Sequence, residues 1–397
     1  MTDLLLRNVR PLGGPATDIH LHNDRIAAVG PDLPAPNGAT VEDANGALLL
    51  PGLVEGHAHL DKTVWGGPWY RNEVGPDRID RIDNERAWRS AANHDAAARS
   101  LGLARAYLVN GTTRLRSHAD IDPDIGLAHV HATMRTRDAL AGLMDIQIVA
   151  FPQSGVVRCP GVAALMDAAL AEGADVIGGI DPCAIDRDPV RQLDVLFDLA
   201  TRHAKPIDIH LHEPGEMGAF SLDLILERTA ALGLHGQVVI SHGFCLGTIP
   251  ARDRDALLER MARLDVRIAT TAPSASPVPP LGVCRAAGVT VFGGNDGIRD
   301  TWTPYARPDM LDRAMHIGLR NALRRDDELD WALDCVTSAA ARGCGFAAYG
   351  MAPGCRADLV LVQAETTAEA IVSAPPRTLV IAGGRIVARN GVLLLPD

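Results

Sequence analysis

Lysine is almost missing from this chain. Lys62 and Lys205 are the only two, and arginine supplies every other basic side chain. Acidic residues outnumber basic ones, 49 to 38, for a formal net charge of −11, and no Lys/Arg cluster or aromatic-basic stretch offsets that balance. This argues against a nucleic-acid partner. No apolar run approaches the ~20 residues that span a bilayer, and no basic segment followed by a long apolar one resembles a secretory leader. The expectation is a cytoplasmic protein with no membrane partner. Cysteine pairing signals are missing too: the seven cysteines, at 159, 183, 245, 284, 335, 344 and 355, are irregularly spaced and include no CxxC. Such a set suits reduced thiols in packing positions better than a disulfide frame. No internal repeat or low-complexity segment is present.

What the chain does have is apolar residues, 47% of 397, enough for one large domain and a smaller one. Its two ends share a β-rich texture. Near the start, Leu4–Leu6, Asp18–His22, Arg25–Val29 and Ala47–Leu50 are short strand candidates separated by Gly, Pro, Asn and Asp. Near the finish, Asp358–Val362, Thr378–Ile381 and Arg385–Ala388 repeat the pattern around a Gly383-Gly384 turn. One small sheet domain built from both termini is expected. His20 and His22 fall in it and are read as exposed strand residues.

Between these ends, residues 52 to 345 alternate short apolar runs with helical periodicity, the signature of βα units. Eight strand candidates can be counted: the one ending at His57 and His59, then Thr113–Asp120, Asp145–Gln153, Asp175–Asp181, Ile207–Glu213, Val238–His242, Arg267–Thr271 and Thr290–Asp296. Leu193, Leu196, Phe197 and Ala200 keep helical spacing between two of them, as do Leu257, Met261 and Leu264. Eight such units imply a closed barrel with its active site at the C-terminal ends of the strands. Nearly every candidate ends in a polar or titratable residue, which a purely structural barrel would not require.

His57 and His59 stand at i and i+2, a spacing that sends both imidazoles to one face of a strand. Together with His210 from the fifth strand and Asp296 from the eighth, they give three nitrogens and one carboxylate oxygen. That set suits Zn²⁺ or Fe²⁺ and leaves a position for water.

With these motifs in place, nearly the whole chain resembles the amidohydrolase superfamily, and within it the cytosine deaminase-like group. The resemblance rests on His57-Ala-His59-Leu-Asp61, on Ile146 to Gln153, on His210-Leu-His-Glu213, on Ser241-His242, and on Asn295-Asp296 followed by Asp300 and Trp302. It implies a (β/α)8 TIM barrel over residues 51–345, flanked by a β-sandwich from residues 1–50 and 346–397. It also implies one metal on His57, His59, His210 and Asp296, and hydrolytic deamination of a small nitrogen heterocycle of cytosine, pterin or triazine type. Two-metal branches usually bridge their ions with a carboxylated lysine on a barrel strand. Neither lysine here ends the third or fourth strand, so a single ion is expected.

By the same resemblance, His242 and Asp296 orient a water whose pKa the ion lowers from ~15.7 toward ~7. Glu213 protonates a ring nitrogen, while Gln153 binds the substrate with an amide that both donates and accepts, and Trp302 lies on the substrate side. Asp181 is either a carboxylate aimed at the substrate or a helix cap. Lys62, Trp65 and Trp69 form a pocket wall or simply pack. Departures from the group bear on substrate: His212 replaces an acidic residue, and Asp181-Pro182-Cys183 stands where an aromatic segment is expected. The alternatives to deamination are removal of an alkylamine from a triazine-like ring or opening of a cyclic amide. A non-catalytic metal-binding barrel is a third reading, weakened by Glu213 and His242. The expected partner is a small heterocycle, and a homo-oligomer is left open.

Overall fold

Alternation along the central strands decides which side chains meet the helices and which enter the barrel. In the strand Ile207–Leu211, Ile207, Ile209 and Leu211 join the main hydrophobic core, while Asp208 and His210 face the other way, into the lumen. Thr112–Asp120 behaves alike. Its Leu115 and Ala119 pack in the core, and Arg116 and Asp120 bond to lumen and mouth residues. The structure is a computed structural model and describes residues 3–91, 94–305 and 307–395.

Seventeen strands are formed among the described residues. The first five are β1 (Asp3–Pro11), β2 (Thr17–His22), β3 (Arg25–Gly30), β4 (Thr40–Asp43) and β5 (Leu48–Pro51). Then follow β6 (Leu53–Ala58), β7 (Thr112–Asp120), β8 (Asp145–Phe151), β9 (Val176–Ile180), β10 (Ile207–Leu211), β11 (Val238–His242), β12 (Arg267–Thr270) and β13 (Val291–Gly293). The last are β14 (Leu359–Val362), β15 (Arg377–Ala382), β16 (Arg385–Arg389) and β17 (Val392–Leu393). Helices α1 (Arg78–Ala91) and α2 (Ala96–Val109) both follow β6. One helix then separates each later pair of barrel strands: α3 (Ala128–Ala139), α4 (Val162–Glu172), α5 (Pro189–His203), α6 (Gly215–Ala231), α7 (Ala251–Arg263) and α8 (Leu281–Ala286).

Strands β6 to β13 pair in sequence order, all parallel. Closure comes from the chain just after β13, where the Asp296 amide donates to the His57 carbonyl at 2.8 Å. Gly294 permits that approach, because a Cβ there would lie 2.4 Å from the Cβ of His57. The eight expected barrel strands are therefore present. The apolar spacing read in two helices is buried as expected: α5 buries Leu193, Leu196, Phe197 and Ala200, and α7 buries Leu257 and Met261.

The remaining nine strands come from both ends of the chain. β1 belongs to two sheets at once, pairing with β2 and β4 along most of its length and with β5 at Arg10 and Pro11. β5 continues into β14, β15, β16 and β17. Leu4, Leu6, Ile19 and Leu21 from one part meet Leu49, Leu359, Leu361 and Ile381 from the other in a single core, which makes this a β-sandwich. The β15–β16 turn is Gly383-Gly384, with φ of 54° and 73°, the conformation a two-residue hairpin requires. His20 and His22 lie on β2 as expected but are half-buried rather than exposed, with Nε2 of His20 and Nδ1 of His22 sharing Oδ1 of Asp3 at 2.7 and 2.9 Å. All seven cysteines are free thiols. No helix among the described residues is long and apolar enough to cross a membrane.

Candidate active site

Four strand ends bring five imidazoles together. His57 and His59 close β6, His118 lies on β7, His210 on β10 and His242 ends β11, with ring centroids 4.2 to 5.6 Å apart for most pairs. Asp296 reaches the same place from the turn after β13. Its Oδ1 lies 3.2 Å from Nε2 of His59 and 3.8 Å from Nε2 of His57, and its Oδ2 lies 3.9 Å from Nε2 of His242. His242, Asp296 and Asp181 have φ of 71°, 67° and 33°, in the left-handed region that non-glycine residues enter uncommonly.

Buried hydrogen bonds fix the registration of β6 against the last strand. Glu55 accepts from the amides of His57 and Asn295, from the Asn295 side chain and from the Tyr107 hydroxyl, all within 3.0 Å. Complete burial pushes its carboxyl up to about 7 despite these donors. His57 and Asp296 thus hang from two segments held by one carboxylate.

The histidines are prepared to hold a metal. Nε2 of His57, Nε2 of His242 and both ring nitrogens of His210 are buried with no hydrogen-bond partner, a costly state unless something else fills the space. Two sets offer ligand atoms within 4.8 Å of one another: His57, His210 and His242, and His57, His59 and Asp296. Burial, with neighbouring imidazoles, lowers His57 to about 3 and holds His210 and His242 well below the ordinary histidine value. Neutral rings keep their lone pairs for an ion. Two other clusters are occupied by protein cations. Arg116 faces Asp208 beneath His57 and His118, while Lys62 and Arg89 face Asp120 beside Asp61 and His129.

The residues expected on the substrate side are each already engaged with protein partners. Phe151 stacks on His210 at 4.2 Å and packs with Ile82, Ile180 and Ile185, with Trp302 beside them. Gln153 accepts from the Lys62 ammonium and donates to Glu85 at 2.8 Å and Asp120 at 3.1 Å. The Trp302 indole donates to the same Glu85 oxygen. Asp181 does not cap α5, a task that falls to Asp188. Instead it accepts from the His212 amide at 2.7 Å, pairs with Nδ1 of His212 at 2.9 Å and faces Arg78 at 3.2 Å. His212 in turn stacks on His242 at 4.1 Å. Glu213 accepts from the amides of Cys183 and Ala184, both at 2.7 Å, and from Ser221 at 2.5 Å, and burial raises its carboxyl above the ordinary value. Lys62 is a buried member of the mouth, 5.7 Å from the Phe151 ring and 5.4 Å from that of Trp302. Lys205 sits far from such a role, donating to the Leu170 and Ala174 carbonyls. Sequence reasoning missed Glu85, Asp120, Asp208 and the role of Ser241. The i, i+2 series Arg116, His118, Asp120 and Asp208, His210, His212 was the available signal for the strand residues, whereas nothing local marked Glu85.

The amidohydrolase family model matches residues 40–388. The chain belongs to the amidohydrolase family. As such it is a metal-dependent enzyme that hydrolyses carbon–nitrogen bonds. This amidohydrolase is 28% identical to the N-isopropylammelide isopropyl amidohydrolase of Pseudomonas sp. strain ADP, over 99% of this chain and 98% of the relative. Among solved structures, it is 61% identical to N-isopropylammelide isopropylaminohydrolase from Burkholderia multivorans, with a TM-score of 0.97, covering 99% of this chain and 100% of the other. The 5-methylcytosine deaminase of Klebsiella pneumoniae liganded with 5-fluorocytosine is 26% identical, with a TM-score of 0.86 and 99% of each chain covered. The resemblance to the cytosine deaminase-like group is borne out.

Proposed function

We propose that this amidohydrolase removes an alkylamine from an oxo-substituted triazine ring of the N-isopropylammelide kind, with deamination of a cytosine-like ring as the second reading. The observation that carries the choice is the 61% identity, over essentially the whole of both chains, to an N-isopropylammelide isopropylaminohydrolase. The 26% likeness to 5-methylcytosine deaminase is what keeps the second reading in view. Both reactions replace an exocyclic nitrogen on an amidine-like ring carbon with oxygen, and they differ in whether the nitrogen leaves as an amine or as ammonia.

We assign His57, His59, His210 and Asp296 to a single Zn²⁺ or Fe²⁺ ion. Such an ion, when bound, supplies a water acidified from ~15.7 toward ~7. His242 and Asp296 would orient a water held there and accept its proton, since His242 Nε2 lies 3.9 Å from Asp296 Oδ2 and is otherwise unpartnered. Glu213 delivers a proton on the substrate side, a task suited to a carboxyl raised by burial. Trp302 offers a flat face to a ring, and Gln153 and Lys62 its polar contacts. His212, which stands where the cytosine-like group has an acidic residue, and Phe244 pack beside His242, with His212 held by Asp181.

The test is product analysis of the metal-loaded enzyme given N-isopropylammelide and cytosine in parallel. Isopropylamine released from the first, with little or no ammonia from the second, is the expected result. Rapid ammonia release from cytosine with no amine from N-isopropylammelide would overturn the proposal in favour of the second reading.

A further inference from the structure

A chain of three buried side chains crosses the barrel lumen beneath the histidines. Arg116 on β7 donates from an Nη to Oδ2 of Asp208 on β10 at 2.9 Å. Ser241 on β11 donates its hydroxyl to Oδ1 of the same carboxylate at 2.6 Å. The Ser241 oxygen also lies 2.9 Å from Nδ1 of His57. Arg116, Asp208, Ser241 and His57 are each at most 2% exposed, so no solvent can exchange for any of these partners.

The direction of each bond follows from how many hydrogens are present. A guanidinium only donates, so Asp208 accepts from Arg116. A serine hydroxyl has one hydrogen, and Ser241 gives it to Asp208. Its contact with His57 must then be an acceptance, which requires the imidazole hydrogen to sit on Nδ1. That leaves the lone pair on Nε2, the buried atom of His57 that has no partner and points toward Asp296. The opposite tautomer would place a hydrogen where a ligand lone pair is needed. His59 is set by a separate contact, its Nδ1 lying 3.2 Å from the His118 carbonyl.

We propose that Asp208, held by Arg116 and acting through the Ser241 hydroxyl, is a positioning residue that fixes the Nδ1–H tautomer of His57 and so sets the metal affinity of the centre. This rests on His57 being a metal ligand, as assigned above. Outer partners that orient a ligating histidine typically account for 10- to 100-fold in metal affinity.

Two variants separate a tautomer effect from a packing effect. Ser241→Ala removes one oxygen, leaving His57 Nδ1 without its partner. Asp208→Asn keeps the shape but must turn its amide oxygen to Arg116 and its NH₂ to Ser241, which reverses the hydroxyl toward His57 and favours the wrong tautomer. The measurement is the zinc dissociation constant of the full-length protein by competition with a chelator, together with the melting temperature of the metal-free form. The expected result is a 10- to 100-fold weaker constant for both variants, while the metal-free forms still unfold cooperatively, Ser241→Ala at a lower melting temperature than wild type because Asp208 Oδ1 loses its donor. Wild-type zinc affinity in Ser241→Ala would overturn the relay, provided His57→Ala in the same assay loses zinc. Wild-type affinity in His57→Ala would instead remove His57 from the ligand set, and the relay with it.

Discussion

Glu213 keeps company that its position in the sequence did not suggest. It follows the ligand candidate His210 by three positions, but both its oxygens are committed, one to the amides of Cys183 and Ala184 and the other to Ser221. As a proton donor it must therefore work with the Ser221 hydroxyl turned away or shared. Burial raises its carboxyl, so the acid form persists to higher pH than for a free glutamate, and any rate that depends on that form falls as pH rises through the raised value. Glu213→Gln should lower kcat by roughly 10²- to 10⁴-fold and abolish the alkaline limb of the pH profile that this carboxyl contributes. Steady-state kinetics across pH, with metal content measured on the same samples, checks both. An unchanged kcat in the metal-loaded variant would confine Glu213 to holding the segment after β9.

Helix α1 raises the same question for a whole element. Of its fourteen residues only Ile82 and Glu85 are buried, so apolar burial contributes little to its attachment. Charge holds it instead: Arg78 faces Asp181 at 3.2 Å, Arg86 faces Asp122 at 3.2 Å and Arg89 faces Asp120 at 3.0 Å, while Glu85 gathers Gln153 and Trp302. Elements with few buried apolar contacts open at lower free energy than the core, and salt screens the partly exposed Arg78 and Arg86 pairs. Hydrogen exchange should therefore be faster across residues 78–91 than across β7 or β10, and about 1 M salt should accelerate α1 alone. Equal protection of α1 and β10 at both ionic strengths would contradict this. The helix was also the least legible element. β10 could be read from the alternation of Ile207, Asp208, Ile209 and His210, because one face meets helices and the other the lumen. α1 is polar on nearly every side, and Glu85 finds its partners just after β8 and beyond β13, so its sequence looks like that of a solvated surface helix.

At the scale of the molecule, the barrel was legible because eight strands each carry the same inside-outside pattern, and the sandwich because both ends repeat short apolar runs. What local pattern could not reveal was the crossing of β1 between two sheets, since that depends on β5 and β14 meeting from opposite ends of the chain. A protein lacking residues 359–393 should accordingly leave residues 3–51 open to proteolysis, because Leu49 and Leu50 lose the strand that pairs with them and Leu4 and Leu6 lose half their core. Limited proteolysis followed by mass mapping reads this directly, and a protected N-terminal segment in the truncated protein would refute it. The pairing of β5 with β14 also has a consequence in time. About 300 residues separate the two strands, and at ~5–20 residues per second a ribosome needs roughly 15–60 s to make them. For that interval the earliest strands wait with an unpaired edge while the barrel emerges, so the start of the chain is where a nascent-chain chaperone would be most needed.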